Sequence, residues 1–414
     1  MKILLVNNFF YNRGGDCTYF FALKNLLEKK GHNVIVFSMH HPKNLASEYS
    51  KYFVSYINYE EEIRHKDILS GIKVLNRTIY SREAKKKIEK LIKKEKPDIA
   101  HLQNIHHHIT PSIFYPLKKH NVPIIWTLHD YTIICPNTSF LSHGRVCEKC
   151  KKRKYFWPLF TRCKKDSFSA STMAALETIM HRVMRTNELV DIFIAPSEFL
   201  RKKIIEYGFK NEKLVHLNYF TDFDLHDESE ATGDYYLYVG RISEEKGLKI
   251  LIDAAVMVNS CKLKITGEGP ILEQMVTYAK SKDKKKIIEF LGHKGHKELI
   301  ELVNNCKFIV VPSEWYENQP YSVIEAFASR KAVIGSNIGG IPELIKDNET
   351  GLIFEPGNLD DLSSKIKYLI DNPDKAAEMG KNANAFVKKE FNGDKHYQKL
   401  VKIYEQAISK GRKK

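Results

Sequence analysis

Residues Phe308–Ala326 read FIVVPSEWYENQPYSVIEA, and the order of residue types along this stretch sets the architecture. FIVVPS is a short apolar run closed by Pro and Ser, the pattern of a strand buried on both faces. Pro320 suits the first turn of a helix, so YSVIEA reads as a helix entered from a loop. Strand, loop and helix in that order make the unit of a parallel sheet with helices on its faces. The reading puts Glu317 in the loop and Glu325 in the second helical turn, so the two carboxylates do not share a helical face. They can reach different parts of one ligand docked at the helix N-terminus, where free N–H groups and the macrodipole favour an anion. Spacing alone also fits an ordinary surface loop with two exposed glutamates.

The same alternation extends in both directions. KILLVNNFF, NVIVFSM, DIAHLQ, PIIWTLHD and DIFIAPS read as buried strands in the first half. Helical patterns lie between them, such as Tyr19–Lys30 closed by Gly31 and Ser81–Lys96 closed before Pro97. Residues 220–234 are acidic, polar and aperiodic, and read as a linker. A second series follows: YYLYVGRI, KLKITG, IIEFLG, FIVVPSE, AVIGS and GLIFEP. The expected fold class is therefore α/β, with two Rossmann-like, doubly wound parallel-sheet domains facing across a cleft. The expected divisions are 1–219 with a Cys-containing insertion at 135–165, the linker 220–234, a second domain at 235–385, and a C-terminal helix at 386–414 that packs back on the first domain. In such sheets ligands lie beyond the carboxyl ends of the strands, so the informative motifs are those that follow strands.

Composition narrows the class. Of 414 residues, 43% are hydrophobic and 28% charged, which is the balance of a globular chain. No apolar run reaches the ~18 residues that would span a bilayer, and MKILLVNNFF reads as a first strand rather than a signal peptide. A cytoplasmic protein is expected, at the inner face of the cell membrane. The net charge of +16 calls for an anionic partner: nucleotide phosphate, acidic lipid or nucleic acid. Two runs concentrate the charge, Arg82–Lys96 and Lys149–Lys165, although each also fits a solvated face or loop.

Seven further motifs carry chemistry. Gly240–Gly247 (GRISEEKG) follows YYLYV and places Arg241 and Lys246 at a strand end, where a planar fork and a point charge can neutralise a diphosphate. Arg13–Asp16 follows the first strand, and Gly14 and Gly15 let backbone approach a phosphate there. Gly267–Glu268–Gly269 is a similar turn, and either turn can also be tight without binding anything. Neither matches G-x-G-x-x-G, and no loop ends in GK[ST]. Thr127–Asp130 (TLHD) puts His129 at a strand end, able to hydrogen-bond substrate or shuttle a proton, or to serve structure alone. His106–His107–His108 reads as a loop with an acceptor-side role. Consecutive residues on a regular strand cannot all face one ion. Cys135, Cys147, Cys150 and Cys163 cluster as one C-x2-C with two outlying thiols, able to hold a structural zinc, form a redox pair or remain free. The adjacent Tyr155–Phe160 (YFWPLF), flanked by Lys and Arg, suits a membrane surface or lipid-linked acceptor, or packing of the insertion.

Together and in this order, these elements resemble the family 4 glycosyltransferases of GT-B fold. The resemblance runs through Gly14–Gly15, TLHD, GRISEEKG, TGEGP, the E-x7-E pair Glu317/Glu325, NIGGIPELI, TGLIF, and a closing helix through Phe391 and Tyr404. It implies a retaining hexosyl transfer from a UDP- or GDP-sugar that needs no metal for its chemistry. By position, Glu317 faces the donor sugar near its reacting centre and Glu325 holds the ribose. Arg241 and Lys246 bind the diphosphate, Gly15 approaches it from the other domain, and His129 contacts donor sugar or acceptor. Gly267, Gly269, Leu291 and Gly292 border the nucleoside. Gly14, Asn318, Gln319, Tyr321 and Ser322 complete the donor-binding set. Glu317 is either a nucleophile or the stabiliser of an oxocarbenium-like transition state, the second being favoured because no other base is placed for a two-step route.

The implied acceptor is a glycan or lipid-linked molecule of cell-surface polysaccharide synthesis. A nucleotide-sugar epimerase of the same build needs no acceptor surface, so the aromatic and basic insertion counts against it. A nucleic-acid-binding protein calls for a continuous basic stripe and no paired carboxylates in its cleft. No nucleic-acid partner is therefore expected.

Overall fold

The computed structural model describes residues 1–56, 77–221 and 233–412. It divides into two compact units. One comprises Met1–His143, Cys147–Tyr219 and Gly393–Lys414, and the other Gly144–Val146 and Phe220–Asn392. Of the segment read as a linker, residues 222–232 lie outside the described residues.

In the first unit six strands form one parallel sheet: β1 (Lys2–Val6), β2 (Asn33–Phe37), β3 (Ile99–Leu102), β4 (Ile124–Thr127), β5 (Ile192–Ala195) and β6 (Leu214–His216). Their order is β2-β1-β3-β4-β5-β6. Ile3 to Val6, Ile99 to Leu102 and Ile124 to Thr127 are buried without alternation, because helices cover both faces. Helix Gly15–Lys29 starts four residues before the sequence-read Tyr19, at the turn provided by Gly14, and buries Tyr19, Phe20, Leu23 and Leu27. Helix Arg82–Glu95 is capped by Ser81, whose side chain accepts from the Ala84 N–H, and it ends at Lys96 in the left-handed conformation.

The second unit repeats the plan with β7 (Tyr235–Val239), β8 (Lys262–Thr266), β9 (Ile288–Gly292), β10 (Ile309–Val311), β11 (Val333–Ser336) and β12 (Gly351–Phe354). All pairings are parallel, in the order β9-β8-β7-β10-β11-β12. Strand order reverses between β7 and β10, and in the first unit between β1 and β3. Such switch points open a crevice beyond the strand ends. Helix Pro373–Glu390 runs past residue 385, the sequence-read end of this domain. It continues because Ala383 and Val387 stay buried and the Asn384 amide donates to the Ala328 carbonyl at 2.7 Å.

The chain returns to the first unit with helix Gly393–Arg412. Leu400, Ile403, Tyr404 and Ala407 are buried along its inner face. Two buried polar pairs fix its position. The Tyr404 hydroxyl is 2.7 Å from His101 Nδ1 on β3, and His396 Nε2 is 3.1 Å from the Tyr19 hydroxyl. Burial holds the His101 pKa down, to about 3, so the ring stays neutral inside the sheet. Tyr404→Phe should leave His101 Nδ1 buried without its partner, at a cost of about 1–3 kcal/mol. A chemical-denaturation midpoint equal to that of the parent protein would refute this.

Candidate active site

The switch point of the second sheet brings together the loops after β7 and β10. Gly247 follows the turn Glu244–Lys246 and adopts φ 67°, in the left-handed region. A Cβ there would lie 1.8 Å from the Pro312 carbonyl oxygen, so only glycine lets the two loops approach. The Glu314 N–H donates to the Glu245 carbonyl at 2.9 Å across the same seam. The consequence is an ion pair between residues 71 apart in sequence: Lys246 Nζ is 2.6 Å from Glu317 Oε1. The Ser313 hydroxyl donates to the same oxygen at 2.7 Å.

Glu317 is buried, with 6% of its surface exposed, which removes the exposed-loop alternative for this residue. Burial pushes its pKa up, but the Lys246 ammonium and the hydrogen bonds from Lys246 and Ser313 outweigh it. The net result lies below the usual carboxylate range. Its backbone is held from a third loop, after β11. Gly340 N–H donates to the Glu317 carbonyl at 2.7 Å, and at Gly339 (φ 63°) a Cβ would sit 2.4 Å from that oxygen. Ser336 closes the arrangement by donating to the Ser313 carbonyl at 2.6 Å.

Pro320 is the N-cap, one position before its sequence-read place in the first turn, and the helix is Tyr321–Ala328. Asn318 and Gln319 are buried beside it, while Tyr321 and Ser322 are half-buried. Glu325 sits in the second turn, half-buried, and desolvation raises its pKa to about 7. Arg241 is exposed at the end of β7, and its carbonyl accepts from the Tyr238 hydroxyl at 2.8 Å. Gly267 and Gly269 have a packing reason to be glycine. Their Cβ atoms would lie 1.9 Å from the Gly240 carbonyl oxygen and 2.0 Å from that of Ile242. Leu291, half-buried, lies one residue before Gly292, whose carbonyl accepts from the Gly267 N–H at 2.9 Å.

In the first unit, Gly14 and Gly15 are exposed at the start of their helix. Gly14 has φ 171°, ordinary extended backbone, and a Cβ there would make only a 3.9 Å contact to Asp16. Neither strain nor crowding within the protein demands glycine at this position. His129 is fixed on both ring nitrogens: Nε2 is 2.6 Å from Gln103 Oε1 and Nδ1 is 2.6 Å from the Tyr219 hydroxyl. With Gln103 presenting its carbonyl oxygen, Nε2 carries the proton and Nδ1 accepts from Tyr219. Burial lowers the His129 pKa against the opposing pull of Asp16 and Asp130. In this arrangement neither nitrogen is left over for proton transfer.

Three of the polar contacts in the first unit were not legible as motifs. Gln103 and Tyr219 are isolated residues on distant segments. Glu177 is a single acid in helix Phe168–Val183, yet it is buried and lies 3.2 Å from His107 Nδ1. With His106, His107, Trp126, His181 and Asn187 it lines a cavity of about 20 Å³ beyond β3 and β4, room for one water molecule. Burial raises its pKa, but His107, His181 and His106 hold the carboxyl at about 2.

All seven cysteines are free thiols, and Cys135 and Cys150 are buried. Burial raises Cys135 to about 12 while backbone N–H groups of Phe140, Asn137 and Thr138 oppose the rise. Cys150 lies within electrostatic reach of Cys135, Cys163 and Cys147. Among the described residues no group of three or more His, Cys, Asp or Glu is arranged as metal ligands. The aromatic run between Cys150 and Cys163 is split: Tyr155 and Pro158 are buried, Trp157 and Leu159 half-buried, and only Phe156 and Phe160 are exposed. Among the described residues no helix is long and apolar enough to cross a membrane.

Comparison with known proteins identifies the family of the chain. Residues 224–386 match the model of glycosyl transferases group 1, and residues 13–224 match that of Glycosyltransferase Family 4. An uncharacterized glycosyltransferase of Methanocaldococcus jannaschii is 32% identical over 52% of this chain, a match that spans 60% of that protein's length. An uncharacterized 42.6 kDa protein in the cps region of Klebsiella pneumoniae is 26% identical over 83% of this chain and 87% of its own. Among solved structures, Anabaena HepE in complex with UDP is similar in fold, with TM-score 0.65, 17% identity, and 98% and 100% of the two chains covered. With both halves matched and two doubly wound parallel sheets of GT-B type, the chain belongs to Glycosyltransferase Family 4.

Proposed function

We propose that this glycosyltransferase moves a hexose, with retention at the anomeric carbon, from a UDP- or GDP-sugar to a glycan or lipid-linked acceptor of cell-surface polysaccharide. The observation that carries the reading is the Lys246–Glu317–Ser313 cluster at the switch point of the second sheet, in which Glu317 and Ser313 are buried. A carboxylate that stays ionised out of water can stabilise positive charge developing on the donor sugar, and its fixed partners need no reorganisation during reaction. In the favoured mechanism the bond from the anomeric carbon to the diphosphate oxygen breaks as the acceptor oxygen adds on the same face. The acceptor proton passes to the leaving diphosphate, and Glu317 stabilises the oxocarbenium-like transition state. Arg241 and Lys246 neutralise the diphosphate, and the lysine ammonium has three donors, enough to serve phosphate and carboxylate together. Gly14 and Gly15 leave the start of their own helix open to a phosphate. His129, held on both sides, contributes orientation toward sugar or acceptor. The UDP bound by HepE and the cps-region setting of the Klebsiella relative support the choice of donor and pathway class. The chemistry needs no metal.

The direct test is Glu317→Gln, which keeps size and hydrogen bonding while removing charge. Transfer from the nucleotide-sugar should fall by at least about 10³-fold, with UDP or GDP affinity kept within a few-fold. Undiminished turnover would overturn the assignment.

Glu325 is proposed to hold the ribose hydroxyls as a carboxylate. Its pKa of about 7 against an ordinary 4.5 makes the sign clear. The folded state prefers the protonated acid, so the stability this group contributes is lost as pH rises through about 7. Glu325→Gln should therefore raise the unfolding temperature without nucleotide at alkaline pH and have little effect well below 4.5, while weakening nucleotide binding at alkaline pH. A scan in which the variant's stabilisation does not grow with pH would contradict this.

A structural zinc at Cys135, Cys147, Cys150 and Cys163 is a separate proposal. Its support is the grouping of the four sulfurs, with Cys135, Cys147 and Cys163 all within electrostatic reach of Cys150. Metal analysis of the purified protein should find about one zinc per chain, and a value well below that rejects it.

A further inference from the structure

Helix Phe168–Val183 has two apolar faces, and only one is explained by packing. Ser171, Ala174, Ala175 and Glu177 are buried on the inner side. On the outer side Phe168, Leu176, Met180 and Val183 are exposed, and at 100° per residue they fall within a sector of roughly 120°. Phe156 and Phe160, on and beside the adjoining short helix Trp157–Thr161, are exposed as well. These six are half of the twelve exposed large apolar side chains of the described residues, and Phe160 and Val183 are 73% and 68% exposed. A soluble surface helix carries polar residues on its outer face. A concentration of large apolar side chains there marks an interaction surface rather than chance exposure.

Charge identifies the partner. Residues 149–185 hold ten Lys or Arg against two Asp or Glu, half the chain's net +16 in one segment. One of the two acids, Glu177, is buried on the inner face, which leaves Asp166 as the segment's exposed acid. Lys152, Lys154, Arg162 and Arg182 are exposed in the same segment as the apolar residues. Apolar side chains among cations match an anionic lipid surface, where the former enter the headgroup boundary and the latter meet lipid phosphate. A protein partner or second copy would be served by the apolar face alone, without the excess of cations.

We propose that residues Phe156–Val183 form a docking surface for an anionic membrane leaflet, with Phe160 and the outer face of helix Phe168–Val183 as the inserting elements. The helix lies on the membrane and does not cross it. This surface is independent of the sugar-transfer reading, since none of its inserting residues belongs to the donor site.

Flotation of the full chain with lipid vesicles tests it. Binding should be strong to phosphatidylcholine vesicles containing phosphatidylglycerol, weak to phosphatidylcholine alone, and reduced by added salt. The double substitution Phe160→Glu, Val183→Glu should lower binding to the anionic vesicles by at least about tenfold. Both positions are exposed, so the unfolding temperature and the thermal shift produced by UDP or GDP should stay at parent values. Equal binding of parent and variant would overturn the proposal, as would equal binding to neutral and anionic vesicles. So would parent protein that ignores vesicles but self-associates with rising concentration in light scattering, with the variant monomeric: that outcome assigns the face to a second copy.

Discussion

A carboxylate removed from water requires a countercharge, and the second unit is organised around meeting that requirement at Glu317. Lys246 supplies the charge at 2.6 Å. It can do so because Gly247 lets its loop press against Pro312, at a separation that any side chain would block. Ser313 and Ser336 then tie the loops after β10 and β11 together, and Gly339 and Gly340 clasp the Glu317 backbone. Truncating one partner of such a buried pair costs more than the pair contributes, because the other charge is left stranded. The same contacts therefore serve the fold and hold the group proposed for the chemistry.

Strands such as β1, β7 and β10 were legible because they are buried within a parallel sheet, so each appears as an unbroken apolar run. FIVVPS, KILLV and YYLYV needed no partner information to be read. The position of Glu325 in the second helical turn was legible for a local reason as well, since Pro320 marks where the helix begins. Local signals end there. The burial of Glu317 depends on Lys246, which is 71 residues away, and periodicity carries no trace of such a pairing. Gly267 and Gly269 show the opposite difficulty. The sequence announces freedom of backbone approach without saying what approaches, and in the fold the carbonyls of Gly240 and Ile242 occupy that space.

The first unit illustrates a related limit. TLHD correctly places His129 at a strand end, but its role is set by Gln103 and Tyr219, neither of which belongs to a motif. Glu177 is clearer still: one acid in an apolar helix, given meaning only by three histidines gathered around it. The closing helix depends on similar pairings, with His396 and Tyr404 reaching Tyr19 and His101 across more than 300 residues of chain. Polar contacts inside a core are satisfied in pairs, and each pair joins segments that sequence reading treats separately.

Glu317 and Glu325 stand eight residues apart on one loop and helix, and their environments drive them in opposite directions. Glu317 has an ammonium and a hydroxyl on one oxygen and stays ionised despite burial. Glu325 has desolvation as the sole cause of its shift and rises to about 7. Neighbouring acids whose pKa values are pushed apart by their surroundings are suited to different tasks. A permanently ionised carboxylate fits the place where positive charge develops and vanishes within one turnover. A carboxyl poised near neutrality fits a group that ionises as it accepts hydrogen bonds from ligand hydroxyls, so that binding itself supplies the compensation its site lacks. The proposed division between chemistry and nucleotide binding therefore rests on the different partners of the two glutamates.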